Sequence, residues 1–209
     1  MSAHAWHPIA AARDLPPRHV FHAKLLGQEL AVWRADDGFI NVWENRCLHR
    51  GVRLSIGLNE GQELKCQYHG WRYASRTAGC TYIPAHPEGA PARRIANRIF
   101  PVIERHGLIW SALETSPDDL QTSLPPDPLV LREIAIDAPA AIVEPLLAAY
   151  DPPGHGPRPI FFIQPTDSES CVIRGVVPEP PPTGALALLR LHDAALCALR
   201  DVAEQRPAA

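Results

Sequence analysis

Cys47-Leu48-His49-Arg50-Gly51 and Cys66-Gln67-Tyr68-His69-Gly70-Trp71 decide how this chain is read, with sixteen residues between His49 and Cys66. Each stretch offers one thiol and one imidazole. Two such loops facing each other can place both sulfurs on one metal and both ring nitrogens on another. Gly51 and Gly70 let the backbone turn tightly beneath the paired side chains and can offer N–H groups to sulfur. A structural zinc ion also accepts two cysteines and two histidines, but zinc motifs usually pair like with like. The mixed Cys-x-His and Cys-x-x-His loops fit that pattern badly.

Sorting sulfur to one iron and nitrogen to the other is the ligation of a Rieske-type [2Fe–2S] centre. Cys47, His49, Cys66 and His69 are its expected ligands. Two ferric ions, two sulfides and two thiolates sum to a neutral oxidised core, whereas four thiolates would leave it doubly negative. An electron enters the neutral core more easily, and such centres span roughly −150 to +300 mV against about −400 mV for plant-type ferredoxins. The outer N–H groups of His49 and His69 can face a partner or release a proton on oxidation, which marks them as the expected electron exit.

Working outward, the front half reads as short strands. Glu29–Arg34 and Phe39–Trp43 flank Ala35-Asp-Asp-Gly38 and form a hairpin pattern. Arg53–Ile56, Gln62–Cys66, Trp71–Tyr73 and Gly107–Ala112 are further strand candidates, which suggests a small β-sandwich. Of 23 prolines, 17 lie at or beyond Pro101. Ser116–Pro128 reads as a linker. Beyond it come a strand at Leu129–Ile136 and a helix at Ala138–Tyr150, capped by Asp137 and kinked or shortened by Pro145. A hairpin follows at Ile160–Ile163 and Cys171–Val177. An amphipathic helix at Ala185–Glu204 closes the chain. The expected units are a mainly β domain over residues 1–115, a linker over 116–128 and a small α+β unit over 129–209.

Composition fits an ordinary globular chain, with 46% apolar and 21% charged residues. A net charge of −3 creates no basic field for nucleic acid or an anionic membrane. No apolar run reaches the roughly 18 residues of a membrane span. The amino terminus lacks a secretion-signal pattern, and five scattered cysteines suit a reducing compartment, so a cytoplasmic location is expected. Buried or neutral thiols are the default for Cys80, Cys171 and Cys197.

The two cysteine–histidine motifs resemble the Rieske domain of ring-hydroxylating oxygenase α subunits and related demethylases. The likeness spans about residues 6–113. It takes in Trp6-His-Pro8, the hairpin before Cys47, Tyr82-Ile-Pro-Ala-His-Pro87 and Glu104–Trp110. Val52 and Tyr68 stand near the places where the cytochrome-complex branch carries two extra cysteines. The resemblance implies an electron-transfer domain; Tyr68 and Trp71 are expected beside the cluster or in plain core packing, and Arg50 either screens the reduced cluster or caps the surface. His86 reads as a loop residue rather than a ligand.

The same family carries a mononuclear iron bound by two histidines and a carboxylate. The aligned place here, Ala140–Gly156, holds only His155, amid prolines. Asp151, His192 and Asp193 have no supporting spacing. Phe161–Pro165, Cys171–Val177 and His192–Glu204 resemble pieces of the family's catalytic domain, so the back half reads as a shortened remnant of it. The resemblance implies an oxygenase-system component without its own mononuclear iron. It would draw electrons from a reductase or ferredoxin and serve a full-length oxygenase subunit or its own trimer. A compact active oxygenase, a free Rieske ferredoxin and a non-redox assembly subunit are the alternatives.

Overall fold

The computed structural model describes residues 5–88, 94–114, 119–120, 122–153, 157–180 and 183–205. Its front half is built from ten strands: β1 (His7–Ala11), β2 (Val20–Leu25), β3 (Gln28–Arg34), β4 (Ile40–Glu44), β5 (Leu58–Asn59), β6 (Glu63–Lys65), β7 (Arg72–Ala74), β8 (Cys80–Tyr82), β9 (Val102–Arg105) and β10 (Leu108–Ser111). They form three antiparallel sheets, ordered β1-β10-β9, β2-β3-β4 and β5-β6-β7-β8.

The alternation along β3 explains how these sheets stack. Successive side chains of a strand point to opposite faces. Leu30 and Val32 enter one core with Ile9, Ile40, Val42 and Ile109. Ala31 and Trp33 enter another with Trp43, Leu64, Tyr73 and both Cys47 and Cys66. The central sheet therefore separates two cores. Each large apolar side chain it buries contributes about 1.5–3 kcal/mol by area alone. The Trp33 and Trp43 rings meet edge to face at 5.1 Å, which fixes the floor beneath the two cysteine loops.

The back half adds β11 (Leu129–Val130), β12 (Ile134–Ile136), α1 (Ala140–Ala148), β13 (Ile160–Pro165), β14 (Cys171–Val177) and α2 (Ala185–Glu204). β14 pairs antiparallel with β11, β12 and β13, and α2 packs on β12 and α1. The fold is thus a mainly β domain followed by a small α+β unit, as the sequence implies. Three local readings differ. Leu54–Ile56 forms a 3-10 turn instead of a strand. The stretch at 129–136 splits into β11 and β12. Pro139, not Asp137, stands at the α1 N-cap, and the Asp137 N–H donates to Glu204 Oε1 at 3.0 Å. α1 contains Pro145 and, at nine residues, is shorter than the stretch 138–150, as the proline implies. Among the described residues no helix is long and apolar enough to cross a membrane.

Hydrogen bonds tie the two halves together. The Leu26 and Gly27 N–H groups donate to the Pro165 and Thr166 carbonyls at 2.8 and 2.7 Å. Lys24 pairs with Asp167 at 2.6 Å, and hydrogen bonds from Lys24, Ser170 and the Glu169 N–H hold the Asp167 carboxyl well below the usual range. Ala11, Leu108 and Trp110 share a core with Leu124 and Val176. The β13–β14 hairpin is therefore seated on the front domain.

Candidate metal centre

The two cysteine loops are built alike. The first leaves β4 and the second joins β6 to β7. In the first, the Cys47 N–H donates to the Val52 carbonyl and the Gly51 N–H returns to the Cys47 carbonyl, both at 2.8 Å. In the second, the Cys66 N–H donates to the Trp71 carbonyl at 2.8 Å and the Gly70 N–H to the Cys66 carbonyl at 3.1 Å. Gly51 and Gly70 sit at φ +71° and +69°, a left-handed conformation that strains other residues. Cysteine, histidine and glycine thus recur in one backbone frame, and each histidine is aimed by its loop.

Burial sorts the four side chains. Cys47 is 3% exposed and Cys66 2%, at the edge of the tryptophan-floored core. His49 and His69 lie on the surface with ring centroids 4.7 Å apart. Trp71 stacks on His49 at 5.0 Å and 4°, and Tyr68 leans on His69 at 3.7 Å. Among the described residues no three His, Cys, Asp or Glu side chains converge as a single ion requires. Two neighbouring buried thiols and two neighbouring exposed imidazoles suit a two-iron group, so these residues could hold one.

Electrostatics follows the same division. Burial pushes the Cys66 thiol up, the neighbouring Cys47 adds to this, and the Tyr68 and His69 amides oppose it. Ligation ionises both thiols and must release protons. His49 titrates below its ordinary value, first through desolvation and then through the charges of His69 and Arg50. A neutral imidazole is the form that binds iron.

Three supporting residues escape a motif reading. Tyr73 on β7 places its hydroxyl 3.2 Å from Cys47 Sγ while accepting the Leu48 N–H at 3.2 Å. Burial raises the phenol far above its usual range, so it keeps its proton. With the amide on its oxygen, the O–H is left to donate to sulfur. Asn45 exchanges hydrogen bonds with Ser55, and Asn97 donates to the Glu44 and Arg46 carbonyls. These buried amides brace the base of the first loop. The only local hint of Tyr73 was an aromatic in a strand. Hydrogen bonds to sulfur raise a cluster's potential. Tyr73→Phe is therefore expected to lower it by roughly 20–60 mV, one net hydrogen bond's worth. Protein-film voltammetry measures this, and an unchanged potential would rule the tuning role out.

The other candidates sit as follows. Arg50 is exposed beside His49. His86 lines a depression of about 340 Å³ with His49, His69, Trp71 and Pro84, and its N–H donates to the Ile83 carbonyl. Cys80 is buried opposite Tyr73 in the β7–β8 pairing. Burial raises the Cys171 thiol to about 11. His155 lies outside the described residues. His192 is fully buried, with Nδ1 2.7 Å from the Tyr150 hydroxyl, whereas Asp193 turns to Arg132 at 3.3 Å.

An antiparallel β domain presents two matched loops, with thiols inside and imidazoles outside, an arrangement that suits a mixed-ligand iron–sulfur group. Residues 5–103 match the Rieske [2Fe-2S] domain family. Over residues 5–103, just under half of its length, the chain is thus similar to the Rieske [2Fe-2S] domain, and it resembles oxidoreductase and demethylase relatives. Over 144 residues it is 50% identical to the oxidoreductase NdmD of Pseudomonas putida, covering 66% of this chain and 24% of NdmD. It is 35% identical over 120 residues to the methylxanthine N1-demethylase NdmA of the same organism, covering 55% of this chain and 34% of NdmA. The chain thus spans about a quarter to a third of these relatives' length. The structure of Pseudomonas putida NdmA superposes with a TM-score of 0.76 at 20% identity, over 98% of this chain and 82% of the other. Dicamba monooxygenase with non-haem iron superposes at 0.71 and 19% identity, over 98% and 90%. These likenesses concern the fold.

Proposed function

We propose that this chain is an electron-transfer component of a Rieske oxygenase system, with Cys47 and Cys66 on one iron and His49 and His69 on the other. A bound [2Fe–2S] cluster supplies one-electron storage. The chain's residues do the rest. The buried core shields the sulfur side from water, Tyr73 holds a proton against Cys47, and the two exposed imidazoles form the contact through which the electron leaves. The burial split between thiols and imidazoles carries this reading.

Residues 1–115 form the redox domain in this reading, 116–128 the linker and 129–209 a shortened catalytic domain without its own mononuclear iron. The recipient is then an oxygenase or demethylase subunit of the kind the relatives are named for, and the donor a reductase or ferredoxin. His192 is engaged by Tyr150 and Asp193 by Arg132, contacts that fit this reading of the back half. Elemental analysis with an acid-labile sulfide assay tests the proposal. The expected result is about two irons and two sulfides per chain. Bound zinc without sulfide would overturn the redox reading, and a third iron would overturn the assignment of the back half.

A further inference from the structure

The outer face of α2 is built to meet a copy of itself. One side of this helix packs on β12 and α1. The opposite side presents Ala187, Arg190, Leu191, Ala194, Ala198, Asp201 and Val202 to solvent. A helix turns about 100° per residue, so these positions fall on one face. Leu191 and Val202, the large apolar residues on this face, are each 49% exposed.

The order of residues on this face is symmetric about Leu196 to within one position. Ala194 and Ala198 stand two positions to either side. Leu191 and Val202 flank them at five and six positions, and Arg190 and Asp201 at six and five. In an antiparallel pair related by a two-fold axis, a residue ahead of the centre meets the one on the same flank about as far behind it, and a mismatch of one position is an offset of about 1.5 Å along the axis. The alanines then meet at the centre, where small side chains let the helices approach. Leu191 meets Val202, and Arg190 meets Asp201 at both ends. Arg190 and Asp201 lie on the same flank of the face, which is the flank that meets itself in an antiparallel pair. Asp201 has a 3.6 Å contact with the adjacent Arg200 in its own helix and remains exposed toward the partner.

We propose that a second copy of this chain docks here, through antiparallel pairing of the two α2 helices. The inference is independent of the metal centre. A charge-swap series read by sedimentation velocity tests it. The wild-type chain is expected to be dimeric at tens of micromolar. R190D and D201R each set like charges against each other twice per dimer and are expected to weaken association about tenfold. The double variant R190D/D201R restores opposite pairs and is expected to return within about twofold of wild type. Ala194→Glu is expected to give monomer. Circular dichroism checks that each variant keeps its helices. A monomeric wild-type chain would overturn the proposal. So would a dimer that none of these substitutions weakens, or a double variant no better than the singles.

Discussion

His49→Ala and His69→Ala are expected to fold normally and hold no cluster, whereas Cys47→Ser and Cys66→Ser are expected to lose both cluster and stability. The difference follows from burial. Both imidazoles lie on the surface, and removing an exposed side chain usually changes stability by no more than about 0.5 kcal/mol. Both thiols sit almost fully buried in an apolar core. Serine there trades a weakly polar sulfur for a hydroxyl that needs a hydrogen-bond partner, at about 1–3 kcal/mol. Hydroxyl oxygen is also a poor ligand where soft thiolate holds iron. Loss of residues that merely orient a ligand costs a site about 10–100-fold in metal affinity, so loss of a ligand is expected to cost at least that much. Iron per chain and the visible spectrum report the cluster, and thermal melting reports the fold. If either histidine variant kept its full iron, that residue would not be a ligand. If all four variants kept it, the two loops would not be the metal centre.

The proposed centre is legible in the sequence because its information is local. The candidate ligands, their order and the glycines all lie within two short stretches. The β3–β4 hairpin was legible for the same reason, since Asp36, Asp37 and Gly38 sit between two apolar runs. What escaped depends on distant pairing. β1 is held by β10, about a hundred residues further on, and nothing in His7–Ala11 announces that partner. Arg53–Ile56 carries strand-like residues, but the Ser55 N–H is taken by the Asn45 side chain, and a 3-10 turn results. Asp137 has the chemistry of a cap, but the helix starts only at Ala140, which leaves Pro139 at the cap position and Asp137 two residues before it. Tyr73, Asn45 and Asn97 look like ordinary strand and loop residues until the fold brings them under the first loop. The symmetric face of α2 lies in a helix whose limits the apolar stripe did give correctly.

Arg174→Met is expected to lower the melting temperature by roughly 6–12 °C, the equivalent of about 3 kcal/mol in a chain of this size, while leaving iron content unchanged. Arg174 sits on β14 with a side chain only 4% exposed, and burial lowers its pKa against the pull of Glu133. Its guanidinium reaches three acceptors. Glu133 lies at 2.5 Å, Gln164 Oε1 at 2.9 Å and the Ile9 carbonyl of β1 at 2.7 Å. Gln164 in turn donates to the Lys24 carbonyl of β2 at 2.9 Å. The arginine thus joins the back unit to two strands of the front domain. Methionine fills much of the volume but strands the Ile9 carbonyl and Gln164 Oε1, both buried, without a donor. The Glu133 side chain is 38% exposed although its Oε2 is buried against the guanidinium, so turning the carboxylate to water on loss of the arginine sets the effect at the lower end for a broken buried pair. Lysine should recover little, because one ammonium cannot reproduce a planar fork toward three acceptors. None of these partners belongs to the cysteine loops, hence the unchanged iron. A variant that melts with the wild type would mean the hairpin and shared core hold the halves together without the arginine. One that also loses its cluster would mean that the back unit supports the metal centre directly.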